Sequence, residues 1–112
     1  MLNLEVPKTP LGNQTFAIVQ SDYIDIILLA ANTKEDHTIP TDAQYVVFNC
    51  VDAGGGQVTF WMNIDNDAAI PSADVTDGSG SEPNPTIRDL HGQTTISLIA
   101  AQACFVVMAF YK

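Results

Sequence analysis

The chain has 112 residues, with 13 acidic and four basic side chains and a net charge of −9 at pH 7. This length fits one domain, because two domains would each be too small to bury a core. Four cations are too few for the six or more phosphate contacts (roughly) that duplex binding uses. The same charge disfavours anionic membrane surfaces. Nucleic acid and membranes are therefore excluded as predicted partners.

The composition favours β-structure. Val, Ile and Thr together number 29, whereas Leu, Met, Glu, Lys and Arg together number 17. Branching at Cβ restricts rotamers in a helix and packs well on a pleated sheet. Seven or eight short segments with strand-like patterns are separated by turn residues, which is typical of a sandwich or barrel. We predict an all-β fold, an antiparallel β-sandwich or barrel.

The first residues predict an extended N-terminal arm or a segment that lies over the domain surface. Residues 1–14 contain Pro7 and Pro10 and show no periodicity. Proline lacks an amide donor, so this piece is not expected inside a sheet. The predicted domain organisation is an arm at 1–14 and a sandwich at 15–112. Deletion of the arm is expected to leave the domain folded, because few core contacts are lost.

Three short extended segments are predicted next. Residues 15–20 alternate in hydrophobicity, and residues 23–31 have three isoleucines that favour a strand. Ser21 could also cap a helix at this point, which leaves that alternative open. Residues 37–39 predict a further short extended piece before Pro40.

Residues 45–51 and 57–64 predict a β-hairpin. Residues 54–56 between them are glycines, which reach positive φ without steric cost. Successive strand residues point to opposite faces. The second strand therefore divides into a predicted core row and a predicted outward row that contains Trp61: Val58, Phe60, Met62 and Ile64 against Gln57, Thr59, Trp61 and Asn63.

Residues 65–86 predict a long acidic loop with one short strand at 68–70. The segment that begins at Asn63 partly matches a calcium-binding frame. Ala68 stands where that frame requires glycine, and the flanks are strands, so we predict a plain acidic turn and no metal. Three more strands are predicted in the remainder of the chain, at 88–90, 94–100 and 104–111.

The last predicted strand is apolar on both faces, with Cys104, Val106, Met108 and Phe110 on one and Phe105, Val107, Ala109 and Tyr111 on the other. Such a strand indicates that an arm or another subunit covers its second face. Cys50 and Cys104 are expected to be small buried residues. A disulfide between them stays open, because the sequence does not place their Cα atoms.

No catalytic motif is found in the sequence. His37 and His91 have no nucleophile at a recognisable spacing, and the two histidines and two cysteines match no zinc pattern. No glycine-rich phosphate loop occurs. We therefore expect a protein that is not an enzyme and holds no cofactor.

The second half of the chain resembles a family of phage proteins. The run Ala69 to Pro85, Arg88, the segment Thr95 to Ala100 and the ending Ala109-Phe110-Tyr111 resemble small accessory proteins of tailed bacteriophages. With its size, acidity and proline-bearing leader, the chain is similar to capsid decoration, or staple, proteins of epsilon-fifteen-like short-tailed phages. The resemblance covers about residues 60–112, and the first 59 match only in length and character.

This resemblance implies a jelly-roll sandwich that binds outside the major capsid shell and clamps neighbouring capsomers. The expected function is a non-enzymatic structural protein of the virion, on the outer capsid surface, made in the bacterial host cytoplasm. Its expected partner is the major capsid protein, with a homo-oligomer also open. The interface candidates are Leu2, Leu4, Val6, Leu11, Trp61 and Tyr111.

A carbohydrate-binding module is the alternative function. Small jelly-roll sandwiches often bind glycans through exposed aromatic rings. Trp61, Tyr45 and Tyr23 would supply such a platform, provided that their rings are coplanar and face solvent.

Overall fold

A computed structural model of the chain describes residues 1–4 and 18–112. The secondary structure of these residues consists of eight β-strands, and all their pairings are antiparallel. The all-β prediction is therefore confirmed. The strands are β1 (Ile24–Leu29), β2 (Glu35–Thr38), β3 (Tyr45–Val51), β4 (Phe60–Asn63), β5 (Glu82–Pro83), β6 (Ile87–Asp89), β7 (Thr95–Ala100) and β8 (Cys104–Tyr111).

The strands form two four-stranded sheets that pack face to face. One sheet has the order β1-β8-β3-β6, which we call the front sheet, and the other has the order β2-β7-β4-β5, the back sheet. The neighbouring strands include β1 with β8, β2 with β7, β3 with β6, and β4 with β5. The first four strands therefore pair in order with the last four. This arrangement is the jelly-roll sandwich that the sequence predicts.

The core lies between the sheets and is centred on β8. This strand pairs with all six residues of β1 and all seven of β3. Its inward side chains are at most 1% exposed, and the back sheet presents a matching buried row. Phe48 and Phe60 meet across the core with ring centroids 5.7 Å apart. The inward residues of β8 and β7 are Cys104, Val106, Met108 and Phe110, and Ile96, Leu98 and Ala100.

The predicted hairpin of residues 45–64 is wrong in its pairing. A hairpin begins, since Val58 N donates to Cys50 O at 3.1 Å and Val51 forms an isolated bridge with Gln57. The chain then crosses the core, and β4 pairs with β7 and β5 in the back sheet. The predicted core row is confirmed for Val58, Phe60 and Met62, which are buried, and Ile64 is partly buried against the core. Asn63 of the predicted outward row is also buried.

Three further predictions differ from the structure, and one short strand was not predicted. Residues 18–20 form no strand, and the rest of the strand predicted at 15–20 lies outside the described residues. The helix alternative at Ser21 is wrong, because its hydroxyl bonds to the strand backbone at Phe110 O instead. Residues 68–70 are irregular, since Ala68 N bonds to a side chain, Ser97 Oγ. The short β5 was not predicted, and it lies inside the predicted loop.

One hydrogen-bonded polar pair crosses between the sheets at each side of the sandwich. On one side, the Asp25 carboxylate of β1 lies 2.8 Å from His37 Nε2 of β2. On the other, Arg88 of β6 donates through Nε and an Nη atom to both oxygens of Glu82 in β5, each at 2.7 Å. Inward-facing charge at sheet edges is a common device against unwanted strand pairing.

The two cysteines are buried and unbonded. Burial, and then a hydrogen bond with the Cys104 thiol, raises the pKa of Cys50 to about 12. Because thiolate is the reactive form, the Cys50 thiol stays protonated and inert at neutral pH. Cys50 and Cys104 therefore act as small core residues, as the sequence predicts.

We predict that Phe60→Ala lowers the free energy of unfolding by about 3–5 kcal/mol, the range for removal of a buried aromatic ring. Phe60 is 2% exposed and contacts Phe48. Phe105→Ala is the matched control, because Phe105 is 37% exposed on the outer side of β8. Its expected cost is about 1–2 kcal/mol. Equal costs in urea denaturation would contradict the assignment of these two faces.

We predict a loss of stability in acid that depends on Glu82. The hydrogen bonds from Arg88 lower the pKa of Glu82 below its ordinary value of 4.5. The pair therefore stabilises the fold fully above about pH 4.5 and loses this effect as the pH falls through the lower, folded pKa. Both side chains are over a third exposed, so solvent screening limits the effect to about 0.5–1 kcal/mol.

Glu82→Gln tests this acid dependence. Urea denaturation from pH 7 down to pH 2.5 should show the variant less stable at pH 7 and equal to the wild type at the acid end. A difference that stays constant over this range would contradict the assignment to the Arg88 pair.

Candidate functional site

The outer surface of the front sheet is apolar across its strands. Ile24, Ile26 and Leu28 of β1 are 42%, 61% and 60% exposed, and Phe105 of β8 and Ile87 of β6 are 37% and 41% exposed. Half-buried apolar residues lie between them. We call this surface the apolar face: Ile24, Ile26, Leu28, Phe105, Val107, Ala109, Val47, Val51 and Ile87.

Register aligns these side chains into cross-strand rows. Ile26 pairs with Val107, and Leu28 pairs with Phe105, which in turn pairs with Val51. A third row runs from β1 to β6 through Ile24, Ala109, Val47 and Ile87. Directly opposed side chains lie about 4.5–5.5 Å apart at Cβ, so neighbours within a row are in contact. The Ile26–Val107 row ends at the exposed polar residue Asn49 of β3, and the other two rows are apolar throughout.

A polar residue that points inward creates this face. Asp25 pairs with Met108, whose side chain is buried, so the carboxylate lies on the core side of β1. Its hydrogen bond to His37 satisfies it there. The alternation of the strand then directs Ile24, Ile26 and Leu28 to solvent.

Charge is distributed unequally between the two sides of the sandwich. Among the outward positions of the four front strands, Asp89 is the one charged residue. The acidic loop lies on the other side: it leaves β4, returns at β5, and bonds through Ala68 N to Ser97 Oγ of β7. Lys34 Nζ holds the loop further, at 3.1 Å from both Asp36 and Asp67. The molecule therefore has an apolar side and an acidic side.

Asn63 organises the acidic loop through its side-chain amide. Its Oδ1 accepts hydrogen bonds from Asp65 N at 3.1 Å and Asn66 N at 2.9 Å. Its Nδ2 donates to Ser79 O and Gly80 O. The oxygen that would be the first calcium ligand is thus engaged by backbone amides. Over residues 1–4 and 18–112, no group of three or more His, Cys, Asp or Glu side chains has the arrangement of a metal site.

The predicted interface residues are scattered over the molecule. Tyr111 is only 3% exposed, and its hydroxyl donates to Val19 O at 2.6 Å. Trp61 is half-buried in the back sheet, where it pairs with Pro83 and Ile99. Leu2 is 40% exposed and Leu4 is half-buried. Val6 and Leu11 lie outside the described residues, as does the predicted boundary between residues 14 and 15.

The predicted aromatic platform does not form. Tyr45 lies on the outer side of the front sheet and Trp61 in the back sheet, so their rings belong to opposite sides of the sandwich. Tyr23 lies near the front sheet and contacts Phe110 edge to face, with centroids 6.1 Å apart. These three side chains therefore offer no common flat surface to a sugar ring.

The first four residues lie on the domain, which agrees, for these residues, with the predicted alternative of a segment that lies over the domain surface. Leu4 N donates to Lys112 O at 3.0 Å, and Lys112 N donates to Leu2 O at 2.9 Å. The Met1 side chain is 4% exposed and packs against the core, and its ammonium lies 3.7 Å from Asp22. Residues 1–4 thus cover the end of β8.

Sequence reasoning missed the outward row of β1. Residues 23–31 were predicted as a strand, yet no surface was assigned to it. The available signal was the last strand, whose two apolar faces indicate a covered outer row. Ile24, Ile26 and Leu28 extend that row by one strand.

Comparisons with protein families, with curated proteins and with solved structures gave no match for this chain. Within the described residues, no helix is long and apolar enough to cross a membrane.

We predict that deletion of residues 1–4 lowers the free energy of unfolding by about 1.5–3 kcal/mol, the range for burial of one large apolar side chain such as methionine. The reason is the burial of Met1 and the two backbone hydrogen bonds to Lys112. Chemical denaturation of the full chain and of the truncated chain measures the difference. An unchanged midpoint would instead support the expectation that the N-terminal segment contributes little to domain stability.

Proposed function

We propose that this protein is a non-enzymatic structural protein of a phage virion, which binds the outside of the capsid and stabilises it by bridging major capsid subunits. The apolar face of the front sheet is the observation that carries this proposal. The likeness of residues 60–112 to phage decoration proteins supplies the kind of partner.

The size of the apolar face supports a protein partner. Its five most exposed side chains together leave on the order of 450 Å² of apolar surface in solvent, within the range of patches that are often functional. A stable interface needs about 800 Å² on each partner, so this face would form the centre and polar residues around it the rim.

The distribution of charge supports one orientation on the shell. With the apolar face against the capsid, the acidic loop of the back sheet points to solvent. The loop at 65–86 has five acidic side chains and no basic one, and this exposed charge favours solubility of the decorated particle. Free Cys50 and Cys104 agree with assembly in the bacterial cytoplasm, where thiols stay reduced.

Bridging requires contact with a second capsid subunit. The segment 5–17, which contains Val6 and Leu11, supplies further apolar residues for such a contact by its sequence. Two linked contacts raise the overall affinity above that of either alone, because the second forms at high effective concentration.

We predict that Phe105→Glu weakens capsid binding at least tenfold, because it buries a carboxylate at the centre of the interface. The matched control is Val75→Glu, which adds the same charge at a 51% exposed position in the acidic loop. Binding isotherms with phage heads that lack the protein measure both variants, and circular dichroism confirms that they fold.

The control should bind within about threefold of the wild type. Equal loss in both variants would assign the effect to net charge, and no loss in Phe105→Glu would overturn the apolar face as the docking surface. Binding of the wild-type chain to polysaccharide, and not to heads, would instead favour the carbohydrate-binding alternative.

A further inference from the structure

The two sheets have four edge strands, and three of them have features that prevent pairing with another strand. β2 has four residues, including Glu35 and Asp36; β5 has two residues, one of them Pro83; and β6 has three residues, including Arg88. Short length, charge and proline are the usual protections of a sheet edge.

The fourth edge strand, β1, has one protective feature, the inward-facing Asp25, and is otherwise unprotected. It has six residues in unbroken register with β8, and no proline or bulge interrupts it. Its one charged residue, Asp25, points inward to His37. No strand in the described part of the chain pairs with its outer edge.

The backbone groups at this edge belong to the residues with exposed apolar side chains. Phe110 N donates to Tyr23 O, and hydrogen-bonded pairs alternate along an antiparallel ladder. Asp25, Ile27 and Leu29 therefore face β8. The N–H and C=O groups of Ile24, Ile26 and Leu28 are directed to the free edge.

We propose that the outer edge of β1 accepts an extended strand of the partner, with apolar residues at alternate positions and Lys or Arg at its ends. Main-chain hydrogen bonds to Ile24, Ile26 and Leu28 supply affinity. The alternate apolar side chains of the added strand extend the rows of the apolar face. This is the strand-addition mode of peptide recognition.

Charge favours a basic strand. β2 is the edge of the back sheet on the same side of the sandwich, and its Glu35 and Asp36 are exposed. The cation beside them, Lys34, is shared between Asp36 and Asp67. Opposite charge across an interface raises the association rate and selects the partner.

Charge also disfavours a second copy as the occupant. Pairing of β1 with β1 of another copy would bring the Glu35 and Asp36 carboxylates of both copies to one junction. Each chain has a net charge of −9. Like charges at an interface act against the wrong partner.

The inference rests on the proposed function in one respect, since the capsid shell is named as the source of the strand. Its test uses no capsid. The probe is a seven-residue peptide of alternating Val and Thr with Lys at both ends. Two matched probes have Glu at both ends or N-methyl groups on the amides that would face β1.

Amide hydrogen exchange of the isotope-labelled full chain measures binding at the edge. The Lys-ended probe at saturation should slow exchange of Ile24, Ile26 and Leu28 at least tenfold. The Glu-ended probe should bind at least tenfold more weakly at low salt, with a smaller difference at high salt. The N-methylated probe should give no slowing.

Ile26→Pro removes one edge donor and leaves the bonds between β1 and β8 intact, because Ile26 N–H points away from β8. Proline is tolerated at such a position of an edge strand. The affinity of the Lys-ended probe should fall at least tenfold in this variant. Ile26→Val, which keeps the donor, should stay within about threefold of the wild type.

Four results would overturn the proposal. If the amides of Ile24, Ile26 and Leu28 already exchange slowly without probe at every protein concentration, the edge is paired within one chain. Exchange that slows only as protein concentration rises would assign the edge to a second copy. Equal binding of the N-methylated probe would assign probe binding to the apolar face alone. If no probe slows amide exchange, strand addition is excluded. None of these results bears on the effect of Phe105→Glu on capsid binding.

Discussion

The pairing of β8 with β1 and β3 is the constraint on which the rest of the structure depends. Every residue of this strand lies beside one or both neighbours, so its backbone is fully engaged within the sheet. Its inward row forms the middle of the core. Its outward row forms the middle of the apolar face. The register with β1 also decides that Asp25 points inward, and with it which side of β1 meets solvent.

Two polar pairs lie at the sides of the sandwich, where the apolar core ends. Asp25 with His37, and Arg88 with Glu82, satisfy polar groups that face the interior at the margins of the core. An unpaired carboxylate at either place would cost more than it contributes. These pairs therefore allow a small sandwich to have an apolar outer surface on the front sheet and an acidic outer surface on the back sheet.

The sequence allows burial to be predicted better than pairing. Alternation in residues 57–64 identified the buried row of β4, but a row is buried equally well against either sheet, so the predicted hairpin with β3 was wrong. The sequence of β1 did not decide which of its faces meets solvent, because apolar residues occur on both. In the structure Asp25 lies on the core side, where it bonds to His37, and Ile24 and Ile26 face solvent. The outward residue Trp61 stood out by type, yet the larger exposed surface belongs to ordinary aliphatic residues.

The neighbouring position of the first and last strands has a consequence for how the chain folds. Ile24 pairs with Ala109, and Leu2 bonds to Lys112, so the ladder between β1 and β8 joins segments that are far apart in the sequence. Closing such long loops costs entropy before any contact repays it. Folds dominated by distant contacts reach the native state in about milliseconds to seconds, far more slowly than local ones. Before β8 pairs with β1 and β3, both of its apolar rows are exposed to solvent. The chain is most prone to aggregate at this stage of folding.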